Sequence, residues 1–187
     1  MKSLVYDKIR LGVAVLLYLC ATSWADAKVK LPALISDGMV LQREQSVKVW
    51  GTADAGENIT IEFQKKSYHA TADANGQWNI TLPPLKAGGP FLMQINDIKL
   101  NDILVGDVWL CSGQSNMELP VKRVMDMFSN EILNYNNEKI RHILIPQKYN
   151  FHAPQEEISA TSWKTLTQKN VMEFSALAYF FAKEMYE

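Results

Sequence analysis

Between Val29 and about Ile103, apolar and polar residues alternate, and this period of two restricts that part of the chain to half-buried β-strands. The alternating apolar sets are Val47 and Val49; Ile59, Ile61 and Phe63; Trp78, Ile80 and Leu82; and Met93 and Ile95. Turn-forming residues separate these sets, at Asp54-Ala55-Gly56, at Asn75-Gly76 as a hairpin turn, and at Gly88-Gly89-Pro90. Short strands at this spacing predict a small β-sandwich over residues 28–103.

Three aromatic residues of this part, Trp50, Tyr68 and Trp78, have side chains that can stack on a sugar ring. Aromatic residues at alternating strand positions belong more often to a core, and no cluster of polar residues accompanies these three. We therefore interpret them as core residues, and the neighbouring His69 as an ordinary strand residue.

The pattern changes to α/β after residue 103. Val105 and the run Val108–Cys111 predict a short buried strand, which ends at a turn over residues 112–115. One helical stripe follows, formed by Val124, Met125, Phe128, Ile132 and Leu133. The apolar run Ile140–Ile145 then predicts a second strand, parallel to the first, which would complete one βαβ unit.

The rest of the chain predicts a loop and a final helix. Residues 148–169 are polar and irregular, and we interpret them as a loop with Trp163 anchored on the body of the protein. Glu156 and Glu157 fall in this loop, where a solvated surface is a simpler interpretation than an acid/base or metal site. The last segment predicts an amphipathic helix that begins near Ser175, with a stripe of Phe174, Leu177, Ala178, Phe181 and Met185.

The predicted strand and turn leave Ser115 exposed at the carboxyl end of a strand, where open α/β sheets hold their reactive groups. A plain Ser-Gly turn without chemistry is the alternative. The Gly-x-Ser-x-Gly elbow of the α/β-hydrolases is not present, because Met117 occupies the position of the second glycine. A Ser-x-x-Lys nucleophile is also absent, since Glu118 follows Ser115 by three residues.

The sequence from Gly106 to Met117, Gly-Asp-Val-Trp-Leu-Cys-Ser-Gly-Gln-Ser-Asn-Met, resembles the nucleophile block of the sialate O-acetylesterases, within the SGNH (GDSL-like) hydrolases. The stretches Asp37–Gln42 and Gly88–Phe91 agree with that family. The resemblance implies that residues 104–187 begin a flavodoxin-like three-layer α/β domain. It also implies that Ser115 is the nucleophile and that its backbone N–H belongs to the oxyanion hole.

Two residues beside the nucleophile are candidates for substrate binding, Gln114 and Asn116. Alternatively, they only fix the turn through local hydrogen bonds from side chain to backbone. The resemblance implies an acetylated sugar as the substrate, either sialic acid or, as the alternative, acetylxylan or another acetylated glycan. We interpret Glu118 as a charge at the surface or at the start of a helix.

In esterases of this family, a histidine held by an aspartate three residues earlier activates the serine. The three histidines here are His69, His142 and His152, and the residues three positions before them are Lys66, Lys139 and Tyr149. None of these forms the Asp-x-x-His pattern, and we interpret His142 as structural. We therefore expect the chain to be the N-terminal portion of a longer esterase and to be inactive alone; a non-catalytic fragment or binding module is the alternative.

Composition excludes several partners and predicts export. The net charge of −1 and the absence of a Lys/Arg cluster give no footprint for nucleic acid, and no metal-ligand spacing or cofactor motif is present. Residues 1–27 resemble a signal peptide, with the apolar run Leu11–Cys20 and a cleavage site near Ala25 or Ala27. We expect a periplasmic or secreted protein, or a lysosomal or secretory one in a eukaryote, without membrane attachment after cleavage.

The two cysteines, Cys20 and Cys111, bear on a lipid anchor and on a disulfide. Leu19 stands before Cys20 where a lipoprotein signal has a small residue, which argues against a lipid anchor. After cleavage only Cys111 would remain, so no internal disulfide could form. We expect this thiol to be a small buried hydrophobe at the end of a strand.

Overall fold

The computed structural model describes residues 29–155, 158 and 161–187. The predicted signal peptide and the Glu156-Glu157 pair lie outside the described residues. Between residues 29 and 106 the chain forms seven strands: β1 (Val40–Gln42), β2 (Val47–Thr52), β3 (Asn58–Phe63), β4 (Lys66–Thr71), β5 (Gln77–Leu82), β6 (Gly88–Ile95) and β7 (Ile98–Gly106). The all-β prediction for this part is confirmed.

These strands form two sheets. A mixed five-stranded sheet has the order β1-β7-β6-β3-β4, in which β1 runs parallel to β7 and the other pairs are antiparallel. Strands β2 and β5 form a separate antiparallel pair, in register from Val47 opposite Leu82 to Thr52 opposite Gln77. Alternate residues of both sheets bury their side chains in one shared cluster, the first core, which includes Val49, Ile59, Ile61, Phe63, Trp78, Ile80, Leu82, Met93 and Ile95.

The three aromatic residues belong to this core. Trp78 is only 3% exposed, and Trp50 and Tyr68 are half-buried and packed against the same cluster. Their interpretation as core residues is confirmed.

Two turn predictions were wrong in detail. Asn75-Gly76 forms a turn, but it connects β4 to β5 in the other sheet, because β4 is already paired with β3. The carboxylate of Asp73 holds this turn by accepting the N–H groups of Asn75 and Gln77, at 2.8 and 2.9 Å. Gly88-Gly89-Pro90 lies within β6, where Gly88 is opposite Val105.

The remaining residues form a second, smaller core. Three α-helices contribute to this part, α1 (Ser115–Glu118), α2 (Met125–Leu133) and α3 (Ala176–Tyr186), with 3-10 turns at Val121–Arg123 and Val171–Glu173. Two short strands, β8 (Asn137–His142) and β9 (Lys164–Leu166), pair antiparallel. The buried residues of this second core are Val121, Ile132, Ile140, Leu166, Val171, Phe174, Ala176 and Tyr179.

The parallel βαβ unit predicted here is wrong. β8 pairs with β9, because the chain returns after residue 143 and places Arg141 opposite Thr165 and His142 opposite Lys164. Leu144 and Ile145 fall outside the strand and are exposed. The described residues therefore form a mixed sheet, two small two-stranded sheets and few helices, and the layout of a sandwich followed by a three-layer α/β domain stays a prediction.

Both predicted helices are present, but the stripe of the last one is mostly exposed. Ser175 caps α3, since its Oγ accepts the N–H of Ala178 at 3.3 Å. Leu177, Phe181 and Met185 are 52%, 37% and 53% exposed, whereas Tyr179 is fully buried in the second core. Within the described ranges, no helix is both long and apolar enough to cross a bilayer.

Arg141 of β8 joins the second core to the first. Its guanidinium donates to the backbone oxygens of Gly38 and Asp102, at 2.9 and 2.6 Å, and pairs with the carboxylate of Asp102 at 2.8 Å. The Arg141 side chain is only 3% exposed. Beside it, the indole N–H of Trp163 donates to the oxygen of Leu34 at 3.0 Å, which confirms the predicted anchoring of Trp163.

We expect Gly38→Ala to destabilise the protein by about 2–4 kcal/mol, because two costs add. Gly38 has φ of +77°, and an added Cβ would lie 3.3 Å from Arg141 Nη1 and 3.5 Å from Trp163 Cβ. Gly56 is the matched control, since it has φ of +81° with no atom within 4 Å of an added Cβ. Gly56→Ala should cost only the backbone strain, about 1 kcal/mol.

Urea denaturation followed by tryptophan fluorescence measures both variants. Equal losses in Gly38→Ala and Gly56→Ala would show that the contact with Arg141 contributes nothing beyond the glycine conformation.

Candidate functional site

The chain leaves the five-stranded sheet at Gly106 and runs without regular structure to Gln114. The strand predicted over Val108–Cys111 is wrong, because β1 ends at Gln42, opposite Gly106, and offers no further partner. Trp109 and Leu110 are 57% and 90% exposed. The thiol of Cys111 is free and exposed, so the expectation that it is buried is also wrong.

The start of this segment is held by the end of β1. Gln42 accepts the N–H of Val108 through its side-chain Oε1 at 2.9 Å. The backbone N–H of Arg43 donates to Gly106 at 2.8 Å, and its side-chain Nε pairs with the Asp107 carboxylate at 2.8 Å. The first residues of the segment are therefore fixed from the side of the first core.

The end of the segment is held by the start of α3. Leu119 accepts the backbone N–H of Ala176 at 2.7 Å, and Pro120 forms a β-bridge with Ser175. The hydroxyl of Ser175 lies 3.6 Å from the sulfur of Met117. Between the two ends, Trp109 meets Phe181 of α3 edge to face, with 5.3 Å between ring centroids.

Ser115 is the first residue of α1 and is exposed. Within the described residues, neither its hydroxyl nor its backbone N–H has a hydrogen-bond partner. Gln114 and Asn116 are exposed, and their side chains likewise make no hydrogen bond to the described part of the chain. The turn is held instead by the backbone oxygen of Gln114, which accepts the N–H groups of Met117 and Glu118 at 2.8 and 3.2 Å.

The side chains of Gln114 and Asn116 therefore do not fix the turn, and that interpretation is wrong. Both amides remain able to meet a ligand beside the Ser115 hydroxyl. Glu118 is exposed, in keeping with its interpretation as a surface charge, and it accepts a hydrogen bond from Gln147.

The three histidines lie in three different environments. His69 is exposed on β4, with its Nδ1 3.1 Å from Thr60 Oγ1. His152 is exposed in an irregular stretch, and His142 is the last residue of β8. Among the described residues, no hydrogen bond joins the Ser115 hydroxyl to any of them.

His142 packs against the second core and is not solvated like the other two. Its ring lies 4.5 Å from that of Phe174, and its Nδ1 is buried without a hydrogen-bond partner in the described part of the protein. Burial lowers the pKa of His142, the positive charge of Lys164 lowers it further, and the negative charge of Glu173 opposes both. This environment supports a structural role for a neutral imidazole.

The sequence reasoning did not single out Gln42, Arg43 and Arg141, which position the segment and the second core. Gln42 ends the Asp37–Gln42 stretch that was noted for its resemblance, and this was the only signal. Arg141 had none, because its acceptors on Gly38 and Asp102 are far away in sequence. In the described ranges, no group of three His, Cys, Asp or Glu residues has an arrangement that could hold a metal ion.

No family model matches the chain. Curated proteins do: human sialate O-acetylesterase is 28% identical over 199 residues, covering 95% of this chain and 38% of that protein. The mouse sialate O-acetylesterase is 27% identical, covering 94% of this chain and 36% of that protein. The chain thus spans less than two fifths of the length of these relatives, and the resemblance noted in the sequence is confirmed.

A solved structure agrees with these relatives. A carbohydrate acetylesterase from Xanthomonas citri superimposes with a TM-score of 0.79 and 38% sequence identity, covering 84% of this chain and 37% of that one.

We expect the stability of the protein to fall as the pH decreases below about 6.5, the ordinary pKa of histidine in an unfolded chain. The pKa of His142 is lower in the folded state, so the unfolded state binds the proton first and gains stability between the two pKa values. His142→Phe keeps an apolar ring without a titrating group and should flatten the stability profile in this range. Urea denaturation at pH values from about 5 to 8, the range in which histidine titrates, measures the effect.

The ion pair of Lys164 with Glu173 titrates in a separate range. Lys164 lowers the pKa of Glu173, so the contribution of this pair is lost only below about 4.3, the ordinary value for glutamate. An unchanged profile in His142→Phe would mean that His142 is not held neutral by its burial.

Proposed function

We propose that this chain, a homologue of the sialate O-acetylesterases, supplies the nucleophile of a carbohydrate O-acetylesterase, and that Ser115 is that nucleophile. One observation carries the proposal: Ser115 opens α1 on an exposed turn, with a hydroxyl and a backbone N–H that no described residue occupies. A serine hydroxyl hydrogen-bonded into the fold would have to give up that bond before it could attack. Ser115 requires no such rearrangement.

The chemistry is acyl transfer. Ser115 Oγ attacks the carbonyl carbon of an acetyl group on a sugar, and a base takes the hydroxyl proton. The oxygen of the tetrahedral intermediate accepts a hydrogen bond from the Ser115 N–H, the ester bond breaks, and the sugar hydroxyl leaves with the proton. Water then attacks the acetyl-enzyme, which releases acetate and restores Ser115.

The base is the missing part of this arrangement. His69 lies on β4 of the five-stranded sheet, His142 is packed on Phe174, and no hydrogen bond joins the exposed His152 to Ser115 within the described residues. Losing the base of such a triad lowers kcat by a factor on the order of 10⁶. We therefore infer that the 187-residue chain alone does not hydrolyse the substrate. Catalysis requires a histidine beside Ser115, which the contacts of these three histidines do not provide.

Among the described residues no base is hydrogen-bonded to Ser115, which also supports a second candidate, in which this polypeptide is a non-catalytic fragment or binding module. The two candidates differ in one property, the reactivity of the Ser115 hydroxyl when a base is supplied. A relic serine would react no faster than any other exposed serine.

We assign the substrate to the acetylated sugars, with O-acetylated sialic acid first because four curated relatives carry that name. The name of the Xanthomonas citri protein supports only a carbohydrate, so acetylxylan or another acetylated glycan is the rival. We further propose that the protein is exported, to the periplasm or outside the cell, and that its signal peptide is removed. The layout we propose is a β-sandwich followed by a flavodoxin-like domain of the SGNH hydrolases.

We expect Ser115 to become acetylated when the chain is incubated with a chromogenic acetyl ester and imidazole, a small diffusible base that can take the hydroxyl proton. Peptide mass spectrometry locates and quantifies the acetyl group. Ser112 is the matched control in the same molecule, because it is exposed three residues earlier, in the irregular segment that leads to Ser115. Ser115→Ala should lose the acetylated peptide, and Ser112→Ala should keep it.

Equal acetylation of Ser112 and Ser115 would contradict the assignment and support the non-catalytic module. Rapid turnover without imidazole, lost in Ser115→Ala, would instead show that a base lies within these residues.

We expect O-acetylated sialic acid to acetylate Ser115 faster than acetylxylan does under the same conditions. The initial rates of Ser115 acetylation, measured by mass spectrometry at equal concentrations of acetyl groups, make the comparison. A higher rate with acetylxylan would reject sialic acid as the preferred substrate and leave the role of Ser115 intact.

A further inference from the structure

The segment that carries Ser115 is suspended between two anchors, and one of them belongs to the first core. Residues 107–114 have no regular structure, and Asp107 to Gln114 are all exposed. A chain of this kind samples many conformations unless its ends are fixed, since each free backbone residue is worth about 1–2 kcal/mol of conformational entropy. The geometry at its start therefore matters for the position of Ser115.

Two side chains hold the start of the segment, and they differ in strength. Arg43 pairs with Asp107, but both side chains are 43% and 45% exposed, so solvent screens this pair and it contributes little. Gln42 is half-buried and binds the backbone itself, accepting the Val108 N–H at 2.9 Å. The hydrogen bond that Gln42 accepts from Val108 is the stronger constraint, because it fixes a main-chain atom of the segment.

The Gln42 amide is itself held in place. It is the last residue of β1, with its backbone paired to Gly106, and its side-chain Nε2 donates to the oxygen of Arg43 at 3.2 Å. The Nε2 donor of Gln42 is therefore engaged locally, while its Oε1 acceptor binds Val108, two residues beyond the last pair of β1 and β7. The next residue of the segment, Trp109, then meets Phe181 of α3.

We infer that Gln42 is a positioning residue for the proposed nucleophile: its side-chain oxygen fixes Val108 and thereby the path of the chain from the first core to Ser115. This inference rests on the proposed function for its catalytic meaning. Gln42 does not touch the reacting atoms, and it acts through the backbone of residues 108–114. The first core thus contributes to the site and is more than a neighbouring domain.

The experiment uses Cys111, which is exposed and lies in the middle of the segment, as the attachment point for a nitroxide spin label. Cys20→Ser removes the other cysteine of the chain. In this background, Gln42→Met keeps the length of the side chain without the hydrogen bond, and we expect a narrower, more mobile electron spin resonance spectrum. Gln42→Glu retains an oxygen that accepts the Val108 N–H, and its spectrum should stay close to that of the parent.

Gln45→Met is the matched control, because Gln45 is exposed and its side chain makes no hydrogen bond within the described residues. The inference is overturned if Gln42→Met leaves the mobility of the label unchanged, if Gln42→Glu increases it as much as Gln42→Met does, or if Gln45→Met produces the same increase. If Gln42 only stabilised the fold, two variants with equal unfolding midpoints, Gln42→Met and Gln42→Glu, would not differ in the mobility of the label.

The catalytic meaning is measured separately, by the concentration dependence of Ser115 acetylation in the presence of imidazole. We expect Gln42→Met to lower the maximal rate by about 10-fold, with little change in the half-saturating ester concentration, because misplacement of a reacting group acts on the chemical step. Equal maximal rates in parent and variant would reject positioning for catalysis. If no variant and not even the parent is acetylated, the proposed function fails, while the spectra still decide whether Gln42 fixes the segment.

Discussion

The arrangement of the molecule depends on the hydrogen bonds and the ion pair that the guanidinium of Arg141 forms. Its side chain is almost fully buried between the two cores, and three oxygens of Gly38 and Asp102 accept hydrogen bonds from it. A buried charge is tolerated only when its hydrogen-bonding capacity is met, and removing its partners typically costs about 3–5 kcal/mol. The two cores are therefore held together by a contact that has little freedom to slide.

The stretch from Asp37 to Gln42 connects this contact to the candidate site. Asp37 accepts the N–H of Asn101 at 2.6 Å, Gly38 accepts from Arg141, and Gln42 accepts from Val108. Six consecutive residues thus touch β7, the second core and the start of the segment that leads to Ser115. These contacts link the stretch to the Ser115 block in space, although position 42 and position 115 are 73 residues apart in the sequence.

How far the sequence predicts the structure depends on whether burial follows a regular period. Strands β2, β3, β5 and β6 were predicted because alternate residues meet one core. The edge strand β4 was missed, since its residues are exposed or half-buried and leave no apolar alternation. The strand predicted over Val108–Cys111 was wrong for a different reason. An apolar run carries no information about a partner strand, and β1 ends where a partner was needed.

The candidate site followed the same division. The residue type and neighbourhood of Ser115 were readable, because they lie in one local block, whereas Gln42 and Arg141 act through contacts between distant parts of the chain. Helix α3 shows the consequence. One face buries Tyr179 in the second core, while Leu177 and Phe181 remain exposed, and Phe181 lies against Trp109. Because Phe181 lies against Trp109, the exposed face of α3 adjoins the segment that leads to Ser115.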